Sequence, residues 1–306
     1  MAELKQMPLG ARIHDGPQPW QVIQRGLDGY AEVTLAGEWV GAGPHTVEVR
    51  LANEADNAPV PGCDWRKAEP VGEHGWRAVL RAPAGGPYRI ESRLQQGTNE
   101  WRLTGDKIHH VFVGDIWVIA GQSNAVGYGH GNVYDPPQPG VSVFGGNEAW
   151  RLATHPIFDP TGTVHLANRD GGWVDVSPWL AFGRTVRLQT GVPVGLIPAA
   201  LGGSPLSAWD PGAGEAVLYH NMAAFIRAAG GRITGMLWYQ GESDVGADLA
   251  ATYLERFTRF VERFRADFGA ALPVLTAQLN RVLGADAGAQ EGWSRVREAQ
   301  RQAALR

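Results

Sequence analysis

Five apolar runs in the later part of the chain barely alternate: HVFVGDIWVIAG (110–121), VSVFGG (141–146), GVPVGLIPAAL (191–201), ITGMLWYQG (233–241) and LPVLTAQLN (272–280). A strand with one wet face alternates apolar and polar residues; a strand covered on both faces need not. Segments with helical signals separate the runs. Ser177 precedes Pro178 and Gly191 closes that segment, which gives an N-cap, a proline at the first helical position and a glycine just past the end. Residues 215–229 predict a second helix, ended by Gly230 and Gly231. Over 247–268, Tyr253, Phe257, Phe260, Val261, Phe264 and Phe268 share one helical face, a core-packing stripe. Ser243 or Asp244 is placed to cap it, and a last helix is expected over 292–305. Residues 110–306 therefore read as an α/β domain with a parallel sheet between helices.

Before residue 110 the texture differs. WQVIQR (20–25), AEVTLAG (31–37), HTVEVRLA (45–52), GWRAVLRAP (75–83), PYRIESRL (87–94) and EWRLTG (100–105) are short β-like runs, joined by turns rich in Gly, Pro and Asn. Strands at such intervals, with no helical period, predict a small all-β sandwich over 1–109, jelly-roll or immunoglobulin-like.

Composition narrows the function. The length of 306 residues suits one large domain or two ordinary ones. Lys plus Arg is 27 and Asp plus Glu is 31, a net charge of −4, which argues against a nucleic-acid partner. No run of about 18 apolar residues exists to cross a membrane, so no membrane partner is expected. The N-terminus lacks an apolar signal-peptide core; the protein is secreted or periplasmic if a signal peptide was removed, and otherwise cytoplasmic. Cys63 is the only cysteine, which excludes an internal disulfide and a cysteine zinc cluster. No metal or cofactor is expected. Forty-one glycines and twelve tryptophans fit a protein that handles carbohydrate.

Three polar motifs follow three of the buried strands. Gly121-Gln122-Ser123-Asn124-Ala125 presents a serine where ligands of open α/β sheets bind, outside the carboxyl ends of the strands. Its backbone N–H can join an oxyanion site. Ala125 stands where the G-x-S-x-G elbow requires glycine. Gly202-Gly203-Ser204-Pro205-Leu206-Ser207-Ala208-Trp209 places two glycines at a strand end, where the backbone can approach a ligand closely. Trp238-Tyr239-Gln240-Gly241-Glu242-Ser243-Asp244 supplies a carboxamide donor in Gln240 and acceptors in Glu242 and Asp244. Each motif alone has a structural explanation as a turn or a cap; together they converge on one edge of the sheet. The long segment 145–176, with Trp150, His155, His165, Asn168, Arg169, Asp170 and Trp173, has the length of a functional loop.

GDIWVIAGQSNA, GGSPLSAW and WYQGESD together resemble the SGNH-hydrolase carbohydrate O-acetylesterases, in the branch of the sialate O-acetylesterases and acetylxylan esterases. The likeness covers about residues 110–280. WQVIQRGLDGYAEVTLAGEW and GGPYRIES extend it loosely to the β-sandwich that precedes the catalytic domain in sialate-esterase-like members. The resemblance implies a flavodoxin-like three-layer α/β/α sandwich and a serine esterase acting on acetylated carbohydrate. It makes Ser123 the nucleophile, gives Gly202-Gly203 an oxyanion N–H, and has Gln240-Gly241-Glu242 supply an oxyanion side chain or an acidic partner. Gln122, Asn124 and Asp244, with the tryptophans Trp150, Trp173 and Trp209, are the expected substrate-binding residues. The branch reads GQSNM, so Ala125 is a departure beside the nucleophile.

The base departs further. Members carry Asp-x-x-His near the C-terminus; here the last histidine is His220, and no Asp-x-x-His follows Ser123. Asp106-Lys107-Ile108-His109 lies upstream, at the far end of the strand that Ser123 leaves, roughly 30 Å away at ~3.3 Å per residue. A base must reach hydrogen-bond distance of its nucleophile. His130, His155 and His165 are the loop candidates. We expect the α/β domain to lack its C-terminal end, with the base encoded beyond Arg306 and only residual catalysis in the chain as it stands. Two rivals are a catalytically impaired carbohydrate-binding protein and a lipase- or thioesterase-like hydrolase on the same fold. Oligomerisation is left open.

Overall fold

A computed structural model of the protein describes residues 9–305 except 42–44, 99, 132, 171, 281, 283 and 285. It divides into two units. One runs to Asp115 and takes in Thr190–Pro193; the other comprises Ile116–Gln189 and the chain from Val194.

The first unit holds β1 (Gly10–Asp15), β2 (Val22–Gln24), β3 (Tyr30–Val40), β4 (His45–Asn53), β5 (Arg66–Lys67), β6 (Glu69–Val71), β7 (Gly75–Pro83), β8 (Gly85–Gln96) and the start of β9 (Arg102–Gly121). An antiparallel sheet runs β1-β3-β7-β6. A second runs β9-β8-β4-β5, also antiparallel, with β2 parallel to β9. Period-two burial explains the first sheet: Ala31, Val33 and Leu35 point inward, while Tyr30, Glu32 and Thr34 stay exposed. Val33, Leu35, Trp76 and Leu80 of one sheet share a core with Val49, Leu51, Ile90 and Val111 of the other. Each large aliphatic chain so buried contributes about 1.5–3 kcal/mol. Residues 102–105 of the run EWRLTG and the whole of HVFVGDIWVIAG, separate in the sequence, lie on the single strand β9.

The second unit starts with the end of β9. It continues through α1 (Ser123–Val126), β10 (Val141–Phe144), β11 (Trp150–Leu152), α2 (Trp179–Thr190), β12 (Val194–Pro198), α3 (Val217–Ala228), β13 (Gly235–Tyr239), α4 (Ala247–Phe268), β14 (Val274–Thr276) and α5 (Ala287–Ala303). Its strand order is β11-β10-β12-β9-β13-β14. β10 pairs parallel with β12, β9 with β13, and β13 with β14; β11 is antiparallel at the edge. Without the antiparallel edge strand β11, the strands lie in the order β10-β12-β9-β13-β14, which is 2-3-1-4-5 in order of appearance.

Neighbouring residues of β13 meet different helices. Leu237 joins Ile119, Leu196 and the α2 residues Trp179 and Leu180. The next residue, Trp238, packs on α4, with ring centroids 4.8 Å from Phe260 and 5.7 Å from Phe257. Successive strand residues point to opposite faces, so helices cover both. That is why the strands read as unalternating.

Two expected caps differ. The Ser177 hydroxyl is buried without a hydrogen-bond partner among the described residues, and α2 begins at Trp179. α4 follows Gly246 with no side-chain cap, because Ser243 and Asp244 bond across to the 203–206 segment instead. The last helix starts at Ala287 rather than 292, where Asp286 accepts from the Ala289 N–H at 2.8 Å.

Candidate active site

The site is built from the carboxyl ends of β9, β12 and β13. β9 ends at Gly121, whose φ is +128° and where a Cβ would lie 2.1 Å from the Tyr239 carbonyl. Only glycine fits that close approach of two strands. The chain then turns into α1. Gln122 is nearly sealed, and its Oε1 accepts from the N–H groups of Gly241 (3.4 Å) and Ser243 (3.1 Å). Its Nε2 is left without a partner among the described residues. Ser123 is half-buried, and neither its hydroxyl nor its N–H has a partner among the described residues. Exposed Asn124 donates to Glu242 Oε1.

The bend after β12 is tied to the same place. Gly121 O accepts from Leu201 N (3.1 Å) and from Ser204 Oγ (3.2 Å). Ser243 Oγ donates to Gly203 O at 3.1 Å. Hydrogen bonds thus lace the three motifs together around Ser123.

Within the bend the two glycines differ. Gly202, one of the two glycines expected to supply an oxyanion N–H, donates its N–H to Asp170 Oδ2 at 2.7 Å and so is not a free donor. Gly203 has φ +68°, is exposed, and keeps its N–H unpartnered among the described residues.

Several expected catalytic or substrate-binding residues are core instead. Gln240 is fully buried: Nε2 donates to Asp244 Oδ2 (2.6 Å) and Ser204 O (3.2 Å), and Oε1 accepts from the Tyr253 hydroxyl (2.9 Å). Both amide hydrogens are committed, so Gln240 is not an oxyanion donor. Asp244, also fully buried, accepts from Leu206 N and pairs with Arg256 at 2.8 Å. It fixes the end of β13 against α4 and offers no oxygen to a substrate. Trp209 is sealed between Ser204 and Trp238, with Nε1 donating to Ser204 Oγ at 3.0 Å. Trp150 is buried against Phe144. Trp173 is the exception, 78% exposed on the loop that follows Asp170.

Glu242 is half-buried. Burial pushes its carboxyl above the ordinary value; its own backbone N–H and Asn124 pull the other way. Its Oε2 is buried with no hydrogen-bond partner among the described residues.

No described histidine hydrogen-bonds Ser123. His155 pairs with buried Asp135 (3.1 Å), which Arg184 also holds. His165 is sealed against Phe225 with ring centroids 3.6 Å apart, and burial lowers its pKa. His130 is exposed, and His109 is paired with Glu54 in the first unit.

Sequence reasoning gave no role to Tyr128 and Asp170. The Tyr128 hydroxyl donates to Asp170 Oδ1 at 2.5 Å, and burial followed by that carboxylate push its pKa up to about 12. Asp170 also borders a hollow lined by Phe158, Arg169, Val174, Pro198 and Phe225. The available signal was the paired glycine: the first of two glycines in a bend often marks a close neighbour.

The family model of the carbohydrate esterases described as sialic acid-specific acetylesterase matches residues 113–306. The probable carbohydrate esterase At4g34215 of Arabidopsis thaliana is 33% identical over 184 residues, which cover 52% of this chain and 66% of that protein. The crystal structure of XAC1771, a novel carbohydrate acetylesterase from Xanthomonas citri, aligns with 95% of this chain and 66% of its own, at 24% identity and a TM-score of 0.55. The X-ray structure of the Arabidopsis protein AT4G34215 aligns with 61% of this chain and 80% of its own, at 26% identity and a TM-score of 0.50. The chain thus spans just under two thirds of the length of the curated Arabidopsis protein and of the Xanthomonas chain.

Proposed function

The chain belongs to the sialic acid-specific acetylesterase family of carbohydrate esterases, and on that premise we propose that it is a serine esterase removing O-acetyl groups from carbohydrates. The observation that carries this reading is the hydroxyl of half-buried Ser123, unengaged among the described residues, at the junction of the three laced motifs. Ser123 Oγ attacks the acetyl carbonyl and gives its proton to a base. The oxyanion is held by the N–H groups of Ser123 and Gly203, with the Gln122 amide in the place first given to Gln240. Each such donor is worth about 3 kcal/mol of barrier. The sugar alcohol departs with a proton, and water then releases acetate from acetyl-Ser123. Asn124 and Trp173 are the substrate contacts retained, the latter as a flat apolar face for a sugar ring. Sialic-acid and xylan-type glycans are both in the proposed substrate class.

An SGNH-type three-layer sandwich is the fold we assign to residues 110–306. The parallel pairings of its sheet and the helices on both sheet faces support it. The two sheets around one core support a β-sandwich over residues 1–109.

A second reading, a carbohydrate-binding protein without turnover, is favoured by one observation: no described histidine meets Ser123. A fluorophosphonate probe separates the two. Labelling that disappears in Ser123→Ala supports the esterase; an unlabelled protein that still binds acetylated sugar supports the binding module. Activity that rises from acetyl to octanoyl esters would replace the sugar-acetyl reading with a lipase-like one.

A further inference from the structure

One carboxylate ties together the segments around Ser123. Asp170 Oδ2 accepts from the Gly202 N–H at 2.7 Å. Its Oδ1 accepts from the Tyr128 hydroxyl at 2.5 Å and from the Gly172 N–H at 2.8 Å. Three separate stretches meet at this side chain: the one leaving α1, the loop after 168, and the bend after β12.

The geometry also explains the paired glycines. A Cβ on Gly202 would sit 2.7 Å from Asp170 Oδ2 and 2.8 Å from the Tyr128 hydroxyl, so the first glycine makes room for the clamp. A Cβ on Gly203 would meet nothing within 4 Å; the second glycine is there for its φ of +68°. With the Gly202 N–H committed, Gly203 carries the bend's one unpartnered N–H among the described glycines 202 and 203.

We infer that Asp170, braced by Tyr128, is a positioning residue for the oxyanion site: it anchors the Gly202 N–H and thereby aims the Gly203 N–H. This rests on the esterase reading and adds to it a residue outside the three motifs. Asp170 touches no reacting atom; it acts through the bend. Tyr128 stays a neutral donor over the working pH range, because its pKa is pushed up to about 12.

The experiment measures the rate at which a fluorophosphonate labels Ser123 in the full chain, since phosphonylation builds an oxyanion in the same site. Kinetics with 4-nitrophenyl acetate and a thermal melt accompany it. Asp170→Ala should label about 10²-fold more slowly, the loss expected of a donor displaced by about 1 Å. Its KM should stay within about threefold, because positioning of this kind acts on the transition state. Asp170→Asn keeps an oxygen for Gly202 and should recover most of the rate. If Asp170→Ala does not fold, Tyr128→Phe decides: it removes only the brace and should slow labelling several-fold while melting as a folded protein. Folded variants that label at the wild-type rate, or rates that fall only with the folded fraction, overturn the inference alone. A wild-type protein that is not labelled at Ser123 overturns both the inference and the esterase reading.

Discussion

At Glu242, burial and hydrogen bonding pull in opposite directions, and burial dominates. A carboxyl whose folded pKa lies above its unfolded value adds stability below the unfolded value, near 4.5, and loses it as pH rises through the folded value. Glu242→Gln imitates the protonated form and can keep its bond from Asn124. The variant should match the wild type at pH 4 and melt at a higher temperature at pH 8; melting curves across that range test this. The two glycines give a paired prediction. Gly203→Ala should cost about 1–2 kcal/mol from its left-handed backbone alone. Gly202→Ala should instead displace Asp170 and Tyr128, slowing Ser123 labelling by about 10²-fold. Urea titration combined with labelling kinetics distinguishes backbone strain from displacement.

At the scale of elements, the end of β13 is held to α4 by polar groups. Asp244 is fully buried, and Arg256, its ion-pair partner on α4, is 12% exposed. Arg256→Met would leave a buried carboxylate beside Gln240 without its cation, at a cost of about 3–5 kcal/mol in urea denaturation. Gln240→Leu should act mainly on stability, by about 1–3 kcal/mol for each buried partner left unsatisfied. A Gln240 variant that folds as the wild type but has lost all labelling would restore it to the oxyanion site. These residues lie in a motif that reads as catalytic. Their chemistry serves the wall of the site: it positions Glu242 and Ser243 by fixing the backbone that carries them.

At the scale of the whole molecule, each unit has a buried core cluster of its own among the described residues. Leu51, fully buried in the first, and Leu196, fully buried in the second, make a comparable pair. Either change to Ala should cost about 2–5 kcal/mol of local stability. Below the unfolding transition, Leu51→Ala should leave Ser123 labelling within about twofold of the wild type, as distant independent sites do. Leu196→Ala should slow it, because β12 carries the bend of 202 and 203. Thermal melts and labelling on the same samples check both.

Strand and helix positions were legible because burial imposes a period: two in β3 and β7, none in β12 and β13, and the helical stripe of α4. The three motifs were legible too, since each follows a readable strand. The sequence alone therefore determined the β-rich and α/β character of its two parts and which strand ends carry chemistry-bearing residues. It could not sort those residues by role. Ser123 and Gln240 both stand in polar motifs at strand ends, yet one hydroxyl is unengaged and the other side chain is sealed with every amide hydrogen used. Trp209 and Trp173 are the same residue type, one buried and one exposed. Whether a polar group faces solvent or a partner depends on atoms contributed by distant segments, as Asp170 shows by claiming an N–H 32 positions away. Only the tertiary structure decides this, because hydrogen-bond satisfaction is set by neighbours in space rather than along the chain.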